Sequence, residues 1–241
     1  MFSMKKIIAP TIFLLFFCVG CIHGFAQGKQ EFLDVNYASI EKFVTQQEAQ
    51  YDSLMQRFIE GDTTLTSDEV KYVFYGSYFS LKYAYTNPSH ELMDAFKEKR
   101  YEDVLNLGQK ELTKSPAQLA ILFRMCVAAL EQEEEEKAQL YRTRLLQVLD
   151  VILSSGDGKS AQTAYKVLEV SDEYVILYGV FGVHLTQQAL SGKCDIMTVY
   201  EDENPDETVD IYFDVSLHMA TLNNLFGTSS HQKAKKKGRK K

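Results

Sequence analysis

Seven aromatic side chains crowd one short stretch of the chain: Tyr72, Phe74, Tyr75, Tyr78, Phe79, Tyr83 and Tyr85. Aromatic rings stack on sugar faces and on peptide groups, and tyrosine adds a hydroxyl that can orient a ligand. Tyr72, Tyr75, Tyr78 and Tyr83 are therefore the candidate binding surface. The same spacing also suits the buried face of a helix, so core packing is the competing reading.

Other residue types invite catalytic readings and fall short of them. The carboxylate pairs Asp172/Glu173 and Asp206/Glu207 have the side chains of a glycoside hydrolase. They read more simply as a charge pair at a helix start and as a solvated hairpin loop. Gly156-Asp157-Gly158-Lys159-Ser160 looks like part of a phosphate loop, but the glycine required five residues before Gly158 is Leu153. It reads as a capped turn. His90, His184, His218 and His231 share no metal-ligand spacing. Glu131 and Glu133 to Glu136 lack the glycine-bearing pattern of a calcium loop. There is no Gly-x-Ser-x-Gly elbow. No catalytic residue, cofactor site or metal ligand is expected, and the balance favours a binding protein over an enzyme.

The elements that must position these residues are mostly helical. Helical spacing covers Tyr37 to Ile59, and Gly61 to Thr64 is a turn. Thr66-Ser67-Asp68-Glu69 is a capping box that opens a helix expected to run to Asn87-Pro88. Ser89 caps the next helix, Lys97 to Arg100 turns, and Tyr101 to Leu112 is helical up to Ser115-Pro116. Ala117 to Leu130 and Lys137 to Ile152 follow, joined by the acidic stretch 131–136. Thr163 to Val170 reads as a strand, Tyr174 to Leu190 as a buried helix, and Ile196 to Tyr200 and Val209 to Val215 as two strands joined by a polar loop. Ser216 to Phe226 closes the domain as a helix.

The first 26 residues have a different character. Lys5 and Lys6 precede an apolar run, Ile7 to Gly20, that is too short to span a bilayer of roughly 20 helical residues. Gly24-Phe25-Ala26 offers a cleavage point before Gln27, so the segment reads as a secretory signal and the mature protein as periplasmic or secreted. A second reading takes Cys18-Val19-Gly20-Cys21 as a lipoprotein site and places the protein on a membrane through Cys21.

Charge is distributed unevenly along the 241 residues, whose net charge is -7. Seven bases, Lys233, Lys235, Lys236, Lys237, Arg239, Lys240 and Lys241, close the chain. With these and the two leader lysines set aside, 17 bases face 33 acids, leaving a body near -16. Such a body is a poor partner for nucleic acid. The tail, from 228 to 241, is expected to be disordered, with anionic surfaces as its natural contacts. Cys126 and Cys194 remain after cleavage, either paired or as buried thiols.

Two resemblances follow from particular residues. Tyr101, Val104 and Pro116, with Leu122, Met125 and Ala129 and with Ala138 one period later, resemble tetratricopeptide-repeat hairpins. Val at 104 and Glu at 135 depart from that pattern. The second resemblance runs through the whole mature chain, in Asp52 to Phe58, Asp62 to Thr66, Tyr75-Gly76, Gly156 to Ser160, Thr163 to Val167, Asp172 to Tyr174 and Cys194-Asp195. In these the chain resembles the exported Bacteroidota-type family known as domain of unknown function 4919. That resemblance implies an exported, mostly helical domain with a small sheet, and no particular activity.

The expectation is one α+β domain over 27–227. It would be mostly helical, with tetratricopeptide-like hairpins at about 89–152 and a small antiparallel sheet at about 163–226. Its expected role is a non-catalytic interaction module for a protein or peptide of the cell envelope. The alternative is an envelope hydrolase or carbohydrate-binding protein that uses the tyrosine-rich surface.

Overall fold

Short helical segments with local caps begin the domain. The structure, a computed structural model, describes residues 31–222, and the readings of the leader and of the basic tail lie outside them. Asn36 caps α1 (Tyr37–Gln46) by accepting the Ser39 amide. Gln47 leaves helical geometry (φ -130°, ψ 46°), so the expected single helix is two, and α2 is Glu48–Ile59. The Gly61 and Asp62 amides return to Phe58 and Arg57 and close α2, with Gly61 left-handed at φ 74°. The capping box at Thr66 and Glu69 forms as read and opens α3 (Ser67–Gly76).

The expected continuation of α3 to Asn87 is absent. The helix stops at Gly76, whose close approach to the first two helices leaves no room for a side chain: a Cβ there would sit 2.8 Å from the Tyr51 ring and 2.9 Å from Val44. Residues 77–89 follow as turns and irregular chain. Tyr78, Tyr83 and Tyr85 are therefore not helical.

Four helices then stack in order: α4 (His90–Lys97), α5 (Tyr101–Leu112), α6 (Leu119–Glu131) and α7 (Glu135–Ser154). The Ser89 and Gln118 side chains cap α4 and α6. The turns inside the two hairpins match. Lys99 and Glu133 are both left-handed, at φ 59° and 56°, and 99 and 133 differ by 34. The following residues, Arg100 and Glu134, share φ/ψ near -81°/69° and -86°/75°, and their amides bond back to Ala95 and Ala129. Val104, Leu122, Met125 and Ala138 are buried between these helices, and Tyr101 lies at their margin. The acidic stretch 131–136 shortens to a tight turn, because Glu135 and Glu136 already belong to α7.

The remainder is a sheet with a short helical insert: β1 (Tyr165–Lys166), α8 (Val170–Tyr174), a π-helix (Val175–Phe181), β2 (His184–Ser191), β3 (Cys194–Glu201) and β4 (Asn204–Asp214). A last helix starts at 216 and runs to the end of the described residues. Strand order is β1-β4-β3-β2. β2, β3 and β4 form an antiparallel meander, but β1 joins β4 in parallel, so the sheet is mixed rather than purely antiparallel.

Three readings need correction. The expected buried helix over 174–190 ends at Phe181, where Gly182 turns left-handed at φ 68°, and the rest is the exposed strand β2. The expected strand at 163–170 shrinks to two residues. The polar loop of 201–207 shrinks to a two-residue turn, Asp202-Glu203, because its flanks pair as strand. The α+β class stands: helices dominate and the sheet is C-terminal.

α7 joins the two halves. It packs on α3, α6 and β1, and its Gln147 amide donates to the Asp62 carbonyl at 2.7 Å. Tyr75 adds a second tie, donating its hydroxyl to the Lys166 carbonyl at 2.9 Å.

Candidate functional site

Two apolar stripes define the walls of an open cleft. Ile40 and Val44 bury one side of α1, and Tyr51, Met55 and Phe58 bury one side of α2. Phe43 lies one step off the first stripe and Leu54 one step off the second, so both face sideways into a cleft of about 430 Å³. α3 supplies Asp68, Glu69 and Tyr72, and Gln50 and Ser53 complete the lining. The Phe43 and Tyr72 rings lie 4.5 Å apart between centroids, at 47°, and form an aromatic floor.

The acidic rim is held in place by neighbours. Glu69 accepts the Thr66 amide at 2.8 Å and its hydroxyl at 3.0 Å, and it pairs with the Arg57 guanidinium at 2.9 Å. These contacts, the Thr66 amide first, hold its carboxyl below the usual range. Arg57 also grips Asp62, whose carboxyl is lowered to about 2, chiefly by the Thr64 hydroxyl and amide. Asp68 pairs with Lys71 at 2.7 Å, and the Lys71 ammonium lies 5.5 Å from the Tyr72 centroid. This arrangement offers apolar contact, ring faces and fixed negative charge.

Of the four predicted tyrosines, only Tyr72 enters this cleft. Tyr75 is fully buried against β1. Tyr83 is buried with its ring edge-on to Tyr51 at 6.3 Å. Tyr78 is half-buried and accepts the Thr221 hydroxyl at 3.1 Å. The four share no surface, and core packing is the fate of Tyr75 and Tyr83. Phe43 escaped the sequence reading because its partner is 29 positions away, at 72. Its only signal was its place beside the Ile40/Val44 stripe.

The model of the family described as Domain of unknown function (DUF4919) matches residues 38–223, which span both halves of the fold and every residue lining the cleft. The chain belongs to this family. Comparison with curated proteins and with solved structures gives no match.

The DUF4919 domain holds a second unusual group of side chains, away from the cleft. Asp172 and Glu173, read from sequence as a charge pair at a helix start, are both fully buried. Asp172 accepts the Tyr85 hydroxyl at 2.7 Å and the amides of Glu169 and Leu168 at 3.0 and 3.2 Å. Burial pushes its carboxyl up, to about 7, against these three donors. Glu173 has no hydrogen-bond partner on either oxygen among the described residues. Burial, reinforced by the charges of Asp195 and Asp172, pushes it up to about 9, so it is neutral at pH 7. Asp195, from β3, accepts the Gln188 amide at 2.7 Å, and Gln188 in turn accepts the Tyr174 hydroxyl at 3.0 Å. The one sequence hint was an acid pair placed directly ahead of the unbroken apolar run 174–183.

The remaining sequence candidates in the DUF4919 domain lie elsewhere in the fold. The Asp157 and Gly158 amides both donate to the Thr163 carbonyl, at 2.9 and 2.8 Å, so the glycine-rich segment is a closed turn and not a phosphate cradle. Asp206 and Glu207 are exposed, on a strand rather than in a loop. His184 stacks on Tyr200 and pairs with Asp202 at 3.0 Å. Among the described residues no group of three or more His, Cys, Asp or Glu side chains is arranged to hold a metal ion. Cys126 and Cys194 are separate buried thiols, and burial raises Cys126 to about 11.

Proposed function

We propose that this DUF4919 chain is an exported cell-envelope protein that binds a peptide or protein segment and does not turn it over. The cleft walled by α1, α2 and α3 is its binding site. The observation that carries this reading is the Phe43/Tyr72 floor beside the fixed carboxylates of Asp68 and Glu69. An aliphatic chain ending in an amine, as in lysine, matches that combination of apolar contact and negative rim. The matching hairpin turns at Lys99 and Glu133 support the tetratricopeptide-like reading of α4 to α7, an architecture suited to holding peptides. Export rests on residues 1–26, with release at Ala26 preferred to lipidation at Cys21.

Carbohydrate binding is the second reading. Gln50 and Ser53 favour it, since an amide and a hydroxyl beside aromatic rings suit a sugar. Amide NMR titrations with a lysine-bearing tetrapeptide and with chitotriose separate the two. The peptide is expected to shift the Gln50, Ser53 and Tyr72 signals. Tyr72→Ala is expected to abolish the shifts and leave the melting temperature nearly unchanged. Peptide shifts that survive Tyr72→Ala, or shifts produced by the sugar alone, would overturn the peptide reading. The intact mass of the exported protein tests the leader: a mass beginning at Gln27 supports release, and a lipid-bearing Cys21 refutes it.

A further inference from the structure

Side chains alternate across the sheet, and its two faces differ. Met197, Val199 and Phe213 are buried on one face. Thr198, Tyr200, Asp210 and Tyr212 project on the opposite face, where Asp210 is exposed and the two tyrosines half-buried, and Asp206 is exposed in the irregular stretch of β4 that adjoins it. Every residue from 201 to 210 is exposed, and this stretch holds six acids and no base. β1 meets β4 only at Phe213 and Asp214, so among the described residues no strand pairs with the edge of β4 away from β3 between Asn204 and Ile211. Like charges along an exposed ribbon repel one another, and a polycation laid across them relieves that repulsion.

The chain carries such a polycation. Seven of the nine residues from Lys233 to Lys241 are lysine or arginine. The final helix begins at 216, two residues past the end of β4 at Asp214. Residues 223–232 reach about 34 Å when extended. β4 measures about 27 Å from Asp214 back to Asp206. Bases of the run therefore reach Asp210 and Asp206. Lysine and arginine over a tyrosine face add cation–π attraction, and Tyr212 and the side of the Tyr200 ring not stacked on His184 offer such faces beside those carboxylates.

We propose that the segment Lys233–Lys241 docks in cis on the outer face of β3 and β4, pairing with Asp206 and Asp210 and lying over Tyr200 and Tyr212. The docked segment is withheld from other polyanions and becomes available to an anionic surface when that contact is broken. Charge complementarity and reach select this occupant, which is tethered at high effective concentration.

Hydrogen exchange of the full chain tests the proposal. Three proteins are compared: the wild type, a variant with the seven tail bases changed to Gln, and Asp206→Asn/Asp210→Asn. At low ionic strength the wild type is expected to exchange severalfold more slowly over 204–212 than either variant. That difference should vanish at about 1 M salt, where screening acts within about 3 Å. Retention on phosphatidylserine vesicles is expected to be greater for Asp206→Asn/Asp210→Asn than for the wild type, because its tail is released. Equal exchange in wild type and neutral-tail variant overturns the proposal. So does protection that grows with protein concentration, which marks docking on a second copy, and so does vesicle retention that the Asp206/Asp210 change leaves unaltered.

Discussion

The helices up to Ser154 and the mixed sheet after them keep their polar groups in opposite ways. In the first part most charge stays at the margin: Arg57, Asp62 and Glu69 form a network at the surface, four of the helices are capped by a nearby side chain, and the buried Arg144 donates to the Pro116 carbonyl. In the second part acid side chains are taken inside. Asp172, Glu173 and Asp195 are buried, and Glu173 has no partner among the described residues. A π-helix sits beside them, in a geometry that proteins seldom use and often place at special sites. The helical part buries a guanidinium that finds a carbonyl, and the sheet part buries an acid, Glu173, that finds no hydrogen-bond partner among the described residues.

The largest effect is expected where the helical part packs most tightly. Ala138 is 5% exposed between helices, and Ala138→Arg should destabilise by about 4 kcal/mol through overpacking and a buried charge. Urea denaturation measures this, and a midpoint equal to that of the wild type would show that the hairpin core is looser than described.

Glu173 is the sharpest test of the sheet part. Its folded carboxyl titrates near 9 and the unfolded one near 4.5, so folding favours the protonated form. The stability it supports is complete below about pH 4.5 and is lost as pH rises toward 9. Keeping it protonated at pH 7 costs about 3 kcal/mol, and Glu173→Gln should recover part of that and flatten the decline between pH 5 and 9. Parallel pH profiles of the two proteins would contradict the buried, neutral state.

Two smaller effects complete the comparison. Thr66→Ala removes the cap of α3 and should cost about 1 kcal/mol, read as a drop in melting temperature. Val209, 61% exposed on the acidic ribbon, should tolerate Val209→Thr within about 0.5 kcal/mol. A larger loss there would mean that the face shared with Val199 is packed further along β4 than the exposure of Val209 shows.

The two parts also differed in how far they could be read from sequence. Thr66 with Glu69, and Ser89 ahead of Leu92, are signals three residues long, and both formed as read. The early stop of α3 was hidden because aromatic residues continue past Gly76, whereas the helix ends on a contact with Tyr51 and Val44. β2 was missed for a related reason. It is an exposed edge strand, so His184 to Ser191 shows no apolar alternation, and the apolar run before it obscures the break at Gly182. In the cleft Tyr72 was legible and Phe43 was not. Nor could sequence foresee the burial of Asp172, whose donor Tyr85 lies 87 positions away.

The parallel pairing of β1 with β4 also bears on the order in which the chain acquires structure. α4 to α7 each pack on the next in sequence, so those contacts close over short loops and form early. Tyr165 and Lys166 must wait for Phe213 and Asp214, which close a far longer loop. A chain emerging from its N-terminus completes its helical hairpins while Phe213 is still unmade. In that interval Val167, Leu168, Ile176 and Leu177, all buried in the finished fold, lack the cover of Met197, Val199 and Phe213. The last strand to arrive thus seals the core, and the period before its arrival is when the nascent chain most needs protection from aggregation.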